Sequence, residues 1–241
     1  AQPVRFAFGG EAAPKDYARA LADGGLLALI ACLGLAKLGH EATPAVAQLA
    51  CAALLFLGYC LRPYRHAQGT VAAGAGVLGL TLCGAPELAI MLGVGGALLE
   101  WQQARADTED YVPQRDNPWL LLVLACTVAS GFMAHAWGLW QSPGYPFSLA
   151  QIRWDGYAQM LVWFMWPAWP ISAWALWSWR RHLLDWSNNR HLAWPLYCVV
   201  TICLASLRFD NADTTLLLAL PPLAALAAFS LVTMNRQMSA L

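Results

Sequence analysis

Charge is what this sequence has least of. Lys, Arg, Asp and Glu make up 12% of its 241 residues, where a soluble domain carries about a quarter. The 14 basic and 14 acidic side chains cancel, so there is no basic excess to track a nucleic-acid backbone, and nucleic acid drops out as a partner. A Walker loop, a G-x-S-x-G elbow and an H-E-x-x-H pair are all missing. Those absences remove the usual templates of soluble nucleotide, serine-hydrolase and zinc-protease chemistry. The seven cysteines (Cys32, Cys51, Cys60, Cys83, Cys126, Cys198 and Cys203) all lie inside apolar runs. Their spacing fits no zinc motif, and none form an even framework in an exposed loop, so they read as small buried hydrophobes. The leading stretch AQPVRFAFGGEAAPKDYARA lacks the basic-then-apolar order of a signal peptide. Internal repeats, low-complexity tracts and a separate soluble domain are also wanting.

What is there is apolar. Hydrophobic residues make up 59% of the chain, and its mean hydropathy is +0.47. The charges cluster, which leaves stretches of the roughly 20 residues that a helix needs to cross a hydrocarbon core. These stretches are rich in Ala and Leu and do not alternate polar with apolar, so helices rather than a barrel satisfy the backbone in lipid. Apolar spans are expected at about Leu21 to Leu38, Pro44 to Leu61, Pro118 to Trp140, Tyr157 to Trp179, Leu192 to Leu207 and Thr214 to Met234. Between the second and third, Gly69 to Trp101 is too long for one comfortable span, and Gly84 and Pro86 interrupt it. It reads as a hairpin of two short helices of about 15 residues each. The expectation is therefore an all-α fold: a polytopic transmembrane helical bundle of about eight helical segments, forming a single membrane domain over residues 1–241.

The lysines and arginines orient this bundle. With the N-terminal segment cytoplasmic and the chain alternating sides, all but Lys37, Arg153 and Arg208 of the 14 basic residues fall inside. That is the expected positive-inside bias. Treating the hairpin as one span would put the later basic loops on the wrong side. Many of the 13 tryptophans, such as Trp137, Trp154 and Trp194, fall near the span ends, where indoles favour the interface. The reading is a multi-pass protein of a bacterial inner membrane.

His40, Glu41, Arg208, Asp210 and Asp213 then share the extracytoplasmic side at helix ends. Carboxylates with an imidazole suit proton transfer or a divalent cation, and a guanidinium suits a phosphate. Solvated loop charges are the plain alternative, because water at loop level lowers the cost of charge. His135, inside a span, reads as a packing residue. Pro167 and Pro170 are expected to kink an aromatic helix. Asp23 reads as a helix-end residue.

The stretch SLRFDNADTTLLLALPPLAALAAF, Ser206 to Phe229, resembles a recurring segment of GT-C class membrane glycosyltransferases. These include the lipid A aminoarabinose transferases and bacterial relatives of the protein O-mannosyltransferases. GLLALIACLGLAKLGHEATPAVAQLACAALLFLGY, AAGAGVLGLTLCGAPELAIMLGVGGALLEW and FMWPAWPISAWALW are similar to further segments of that family, in the same order. The resemblance implies transfer of a sugar from a polyprenyl-phosphate donor to a lipid or protein acceptor on the extracytoplasmic face, commonly with a divalent metal ion. It places Glu41 and His40 in a catalytic or metal-proximal role and Arg208 on the lipid phosphate. Asp210 and Asp213 are further polar residues of the donor loop, without a firm family counterpart. The family's first outer loop, with its acidic pair, is expected before Ala1, so the chain reads as an excerpt of a longer membrane domain. Departures are the missing lysine at the hairpin junction, where Cys83 and Gly84 stand, and the short segment Gln141 to Gly156. A non-catalytic polytopic protein, either a small transporter or an assembly subunit, is the competing reading.

Overall fold

In the computed structural model, which describes residues 4–5, 11–106, 118–140, 154–180, 189–208 and 212–233, the chain is all-α apart from one pair of two-residue strands. These strands, β1 (Val4–Arg5) and β2 (Glu11–Ala12), pair antiparallel. Eleven helices follow among the described residues: α1 (Pro14–Ile30), α2 (Leu33–Leu38), α3 (Pro44–Leu61), α4 (His66–Leu82), α5 (Pro86–Ala106), α6 (Pro118–Ala136), α7 (Trp154–Phe164), α8 (Ala168–Ser178), α9 (Arg190–Ser206), α10 (Ala212–Leu217) and α11 (Leu220–Thr233). Two of them, over Pro44–Leu61 and Trp119–Ala136, are long and apolar enough to cross a membrane.

Eleven helices stand where about eight segments were expected, because three of the expected spans are each broken in two. Prolines account for two of the breaks. Pro167 has no N–H to donate, so α7 closes with Trp166 N–H on Trp163 O at 3.3 Å before α8 starts. Before Pro221 and Pro222, the end of α10 tightens: Leu218 N–H bonds Thr215 O at 3.1 Å and Ala219 N–H bonds Leu216 O at 3.0 Å. Both prolines then lie in the first turn of α11, where a missing donor costs nothing. The third break, at Ala31 and Cys32, has neither Pro nor Gly. There Leu33 N–H leaves the helical ladder and bonds Trp166 O at 3.0 Å, so one break satisfies the other. The pieces α2, α7 and α10 pack on one another, and α11 packs on both α1 and α8.

The hairpin turn falls at Gly84, whose φ of +86° suits glycine. Gly84 N–H bonds Thr81 O at 3.0 Å and Ala85 N–H bonds Leu80 O at 2.9 Å, closing α4 as a Schellman motif. Pro86 then opens α5. The arms, α4 and α5, have 17 and 21 residues, longer than expected.

Helices α3 and α4 make the most extensive contact among the described helices, and glycine permits it. A Cβ on Gly76 would lie 2.6 Å from Leu55 N, and one on Gly69 would lie 2.7 Å from Arg62 N. Both obstacles are backbone and cannot rotate away. Gly76→Leu is expected to destabilise the protein by about 1–3 kcal/mol or more through overpacking, read as a lower midpoint in detergent unfolding followed by circular dichroism. Gly131→Ala, with nothing nearer than 3.9 Å, is the matched control and leaves that midpoint in place.

Between α3, α5, α6 and α9 lies an aromatic cluster. Tyr59 stacks on Trp194 with ring centroids 4.3 Å apart, and Trp119 meets Tyr59 edge-on at 6.4 Å. The Tyr59 hydroxyl donates to Leu92 O at 3.0 Å, and that of Tyr197 donates to Met91 O at 2.8 Å. These bonds fix α5 between its neighbours and satisfy the hydroxyls as burial requires.

Candidate functional site

The two polar turns singled out in the sequence lie together. Thr43, extended at φ −111° and ψ 159°, leads into Pro44 and starts α3, so residues 39–43 form a short turn after α2. On the other side, α9 ends at Ser206, whose hydroxyl meets the Tyr157 hydroxyl at 2.8 Å, and α10 begins at Ala212. Helix α2 packs on α10. Across that contact Lys37 Nζ lies 3.3 Å from Asp213 Oδ2. The other oxygen of Asp213 accepts the Thr214 N–H at 2.9 Å.

His40 and Glu41 are exposed in the turn. His40 Nδ1 lies 3.2 Å from Ala36 O, which makes this nitrogen the donor and leaves Nε2 free to accept. The Glu41 backbone is held on both sides: its N–H bonds Leu38 O at 3.2 Å, and its carbonyl accepts Thr43 N–H at 2.8 Å. Arg208 is exposed just past α9, its N–H bonded to Ala205 O at 2.9 Å. Asp210 lies outside the described residues. Lys37 carries no motif in the sequence; its role comes from a long-range contact with Asp213.

A divalent cation has no ready home here. No group of three or more His, Cys, Asp or Glu comes together among the described residues. The pair of Lys37 and Asp213 further ties up the one described carboxylate of the second turn. The residues described do not fit a bound metal ion.

A second polar cluster, which the sequence did not single out, lies at the other end of the α3–α4 pair. Glu100 of α5 is fully buried. Its Oε1 is approached by Arg62, just past α3, and by Arg190 Nη2 of α9 at 2.7 Å. Glu100 Oε2 has no hydrogen-bond partner among the described residues. The Arg62 guanidinium lies 4.3 Å from the Trp119 ring centroid, a cation–π contact. Burial, helped by the neighbouring Arg190, pulls the Arg62 pKa down to about 10, so it stays charged at neutral pH. The sequence signal for this cluster was a single acid near the end of an apolar run, on the side where most of the arginines collect.

Comparison with protein-family models, with curated proteins and with solved structures finds no match for this chain.

Proposed function

We propose that this chain is the membrane part, or a portion of it, of a glycosyltransferase that moves a sugar from a polyprenyl-phosphate donor to an acceptor hydroxyl on the extracytoplasmic face. One observation carries the reading: the ion pair between Lys37 and Asp213 joins the His40–Glu41 turn to the turn that begins at Arg208. That puts a base candidate and a phosphate-binding cation at one end of an apolar bundle. In the reaction the bond between the anomeric carbon and the donor phosphate oxygen breaks, and the acceptor oxygen bonds to that carbon. Arg208 stabilises the charge left on the phosphate. Glu41 takes the proton of the acceptor hydroxyl.

The assignment takes the chain as a multi-pass membrane protein, which its two long apolar helices support. The broken pairs α1–α2, α7–α8 and α10–α11 act as single crossings, and with α3, α4, α5, α6 and α9 they make eight. Large apolar side chains point outward on the helices, among them Leu27 at 68% and Phe132 at 73% exposure, which suits lipid better than water. The site faces the extracytoplasmic side of a bacterial inner membrane, and lipid or protein supplies the acceptor.

Binding tests the assignment directly. The protein in nanodiscs is expected to hold a polyprenyl phosphate and not the free polyprenol. Arg208→Ala is expected to weaken that binding by about 10- to 100-fold, the loss of a charge-assisted hydrogen bond worth about 1.5–3 kcal/mol. Equal affinity for phosphate and alcohol, or an Arg208→Ala protein that binds as tightly as the original, overturns it.

The three broken helices favour a second reading. Transporters place substrates at interrupted helices near the middle of the membrane, and here the Leu33 N–H bond to Trp166 O joins two such breaks. Solute flux in reconstituted vesicles, without sugar transfer, would support this reading over the first.

A further inference from the structure

Two of the seven cysteines face each other across the α3–α4 contact. Cys51 lies on α3, and its Sγ fills the notch over Gly79 of α4, where an added Cβ would come within 2.6 Å. Cys83 caps the same helix one turn further on, so it lies on the face that carries Gly79. One turn before Cys51, the Gln48 side chain donates to Cys83 O at 2.8 Å and ties the cap of α4 to α3. The two cysteines therefore lie about one helical turn apart along the same α3–α4 seam. Both cysteines are only partly buried. Cys83 also adjoins the Gly84 turn.

We propose that Cys51 and Cys83 form a disulfide, which locks α3 to the α4–α5 turn. The inference rests on the orientation proposed above, which turns this end of the bundle toward an oxidising compartment. The oxidant is a protein of the thiol–disulfide exchange class. Cys83 thiolate, nearer the helix end, attacks one sulfur of the oxidant's disulfide and forms a mixed disulfide, releasing one oxidant thiol. Cys51 thiolate then attacks the Cys83 sulfur and expels the second oxidant thiol. The pair gives up two electrons and two protons, and the oxidant disulfide becomes two thiols. Closure brings the sulfurs to bond length, about 2.05 Å, with the cap of α4 taking up the shift. Its effect is to hold the start of α3, and with it the His40–Glu41 turn, against the hairpin. The other five cysteines stay as thiols.

Thiol counting tests the proposal. Protein produced in cells with an active export oxidation system is quenched with acid and alkylated with a maleimide polymer under denaturing conditions, with and without prior reduction. Five of the seven cysteines are expected to react before reduction and all seven after it, with one linked peptide containing Cys51 and Cys83. Cys51→Ser and Cys83→Ser are each expected to show six reactive thiols in both states. A second arm treats purified, reduced protein in detergent with oxidised glutathione, and the same linked peptide is expected. A reporter fused into the 39–43 turn reads the orientation independently. If that reporter lies outside and seven thiols react before reduction, the disulfide is overturned. A cytoplasmic reporter overturns the orientation instead, and the glutathione arm then decides the pair by itself: closure upholds it and seven free thiols refute it.

Discussion

Glu100→Ala is expected to cost about 3–5 kcal/mol of stability, because it leaves two guanidinium groups partly buried without their shared carboxylate. The Arg62 and Arg190 side chains are 11% and 25% exposed and that of Glu100 is 1% exposed, so water does little to replace the lost partner. The three residues come from α5 and from the end of α3 and the start of α9, so the loss acts on three helices at once. Denaturant titration in detergent, followed by circular dichroism, gives the number. The comparison that isolates the cause is the triple variant Arg62→Met, Glu100→Leu, Arg190→Met. Replacing a buried ion cluster by apolar side chains of similar volume is often neutral or stabilising, so the triple variant is expected to recover most of the stability lost by Glu100→Ala. If both are equally unstable, the carboxylate is not what holds these helices together.

That cluster also marks the limit of what the sequence discloses. Arg62 and Arg190 were visible as charges in the gaps between apolar runs. Their convergence on Glu100 was not, because it depends on how α3, α5 and α9 pack, and nothing local in GGALLEW specifies a partner far along the chain. The breaks divide the same way. The interruption at Gly84 was legible because glycine and proline act on their own backbone. Pro167 likewise announced a kink. The break at Ala31 and Cys32 carried no signal, since the group that receives the Leu33 N–H is the Trp166 carbonyl on another helix. The fold class could be read from composition, whereas the number of helices could not. At the candidate site, the polar gaps at residues 39–43 and 208–213 stood out against the apolar runs. The lysine that joins them did not, because an ion pair between α2 and α10 exists only once both helices are placed.

Glu41→Gln is expected to lower sugar transfer by about 10²- to 10⁴-fold, the usual contribution of a general base, while leaving polyprenyl-phosphate binding unchanged. The amide keeps the size and the turn, whose hydrogen bonds to Leu38 and Thr43 are made by the backbone, so a folding defect is not the expected cause. Arg208→Ala should show the opposite profile, with the donor bound weakly, because its charge acts on the phosphate both before and during bond cleavage. His40→Ala is expected to fall between them: Nδ1 is committed to Ala36 O, and in the proposed reaction Glu41, not this ring, takes the proton. Transfer is assayed with the full-length protein in vesicles, and donor binding is measured on the same preparations. Saturating donor should restore much of the rate lost in Arg208→Ala and none of that lost in Glu41→Gln. Full activity in Glu41→Gln would return this carboxylate to the solvated charges of an ordinary loop, and the base would have to be sought among other residues.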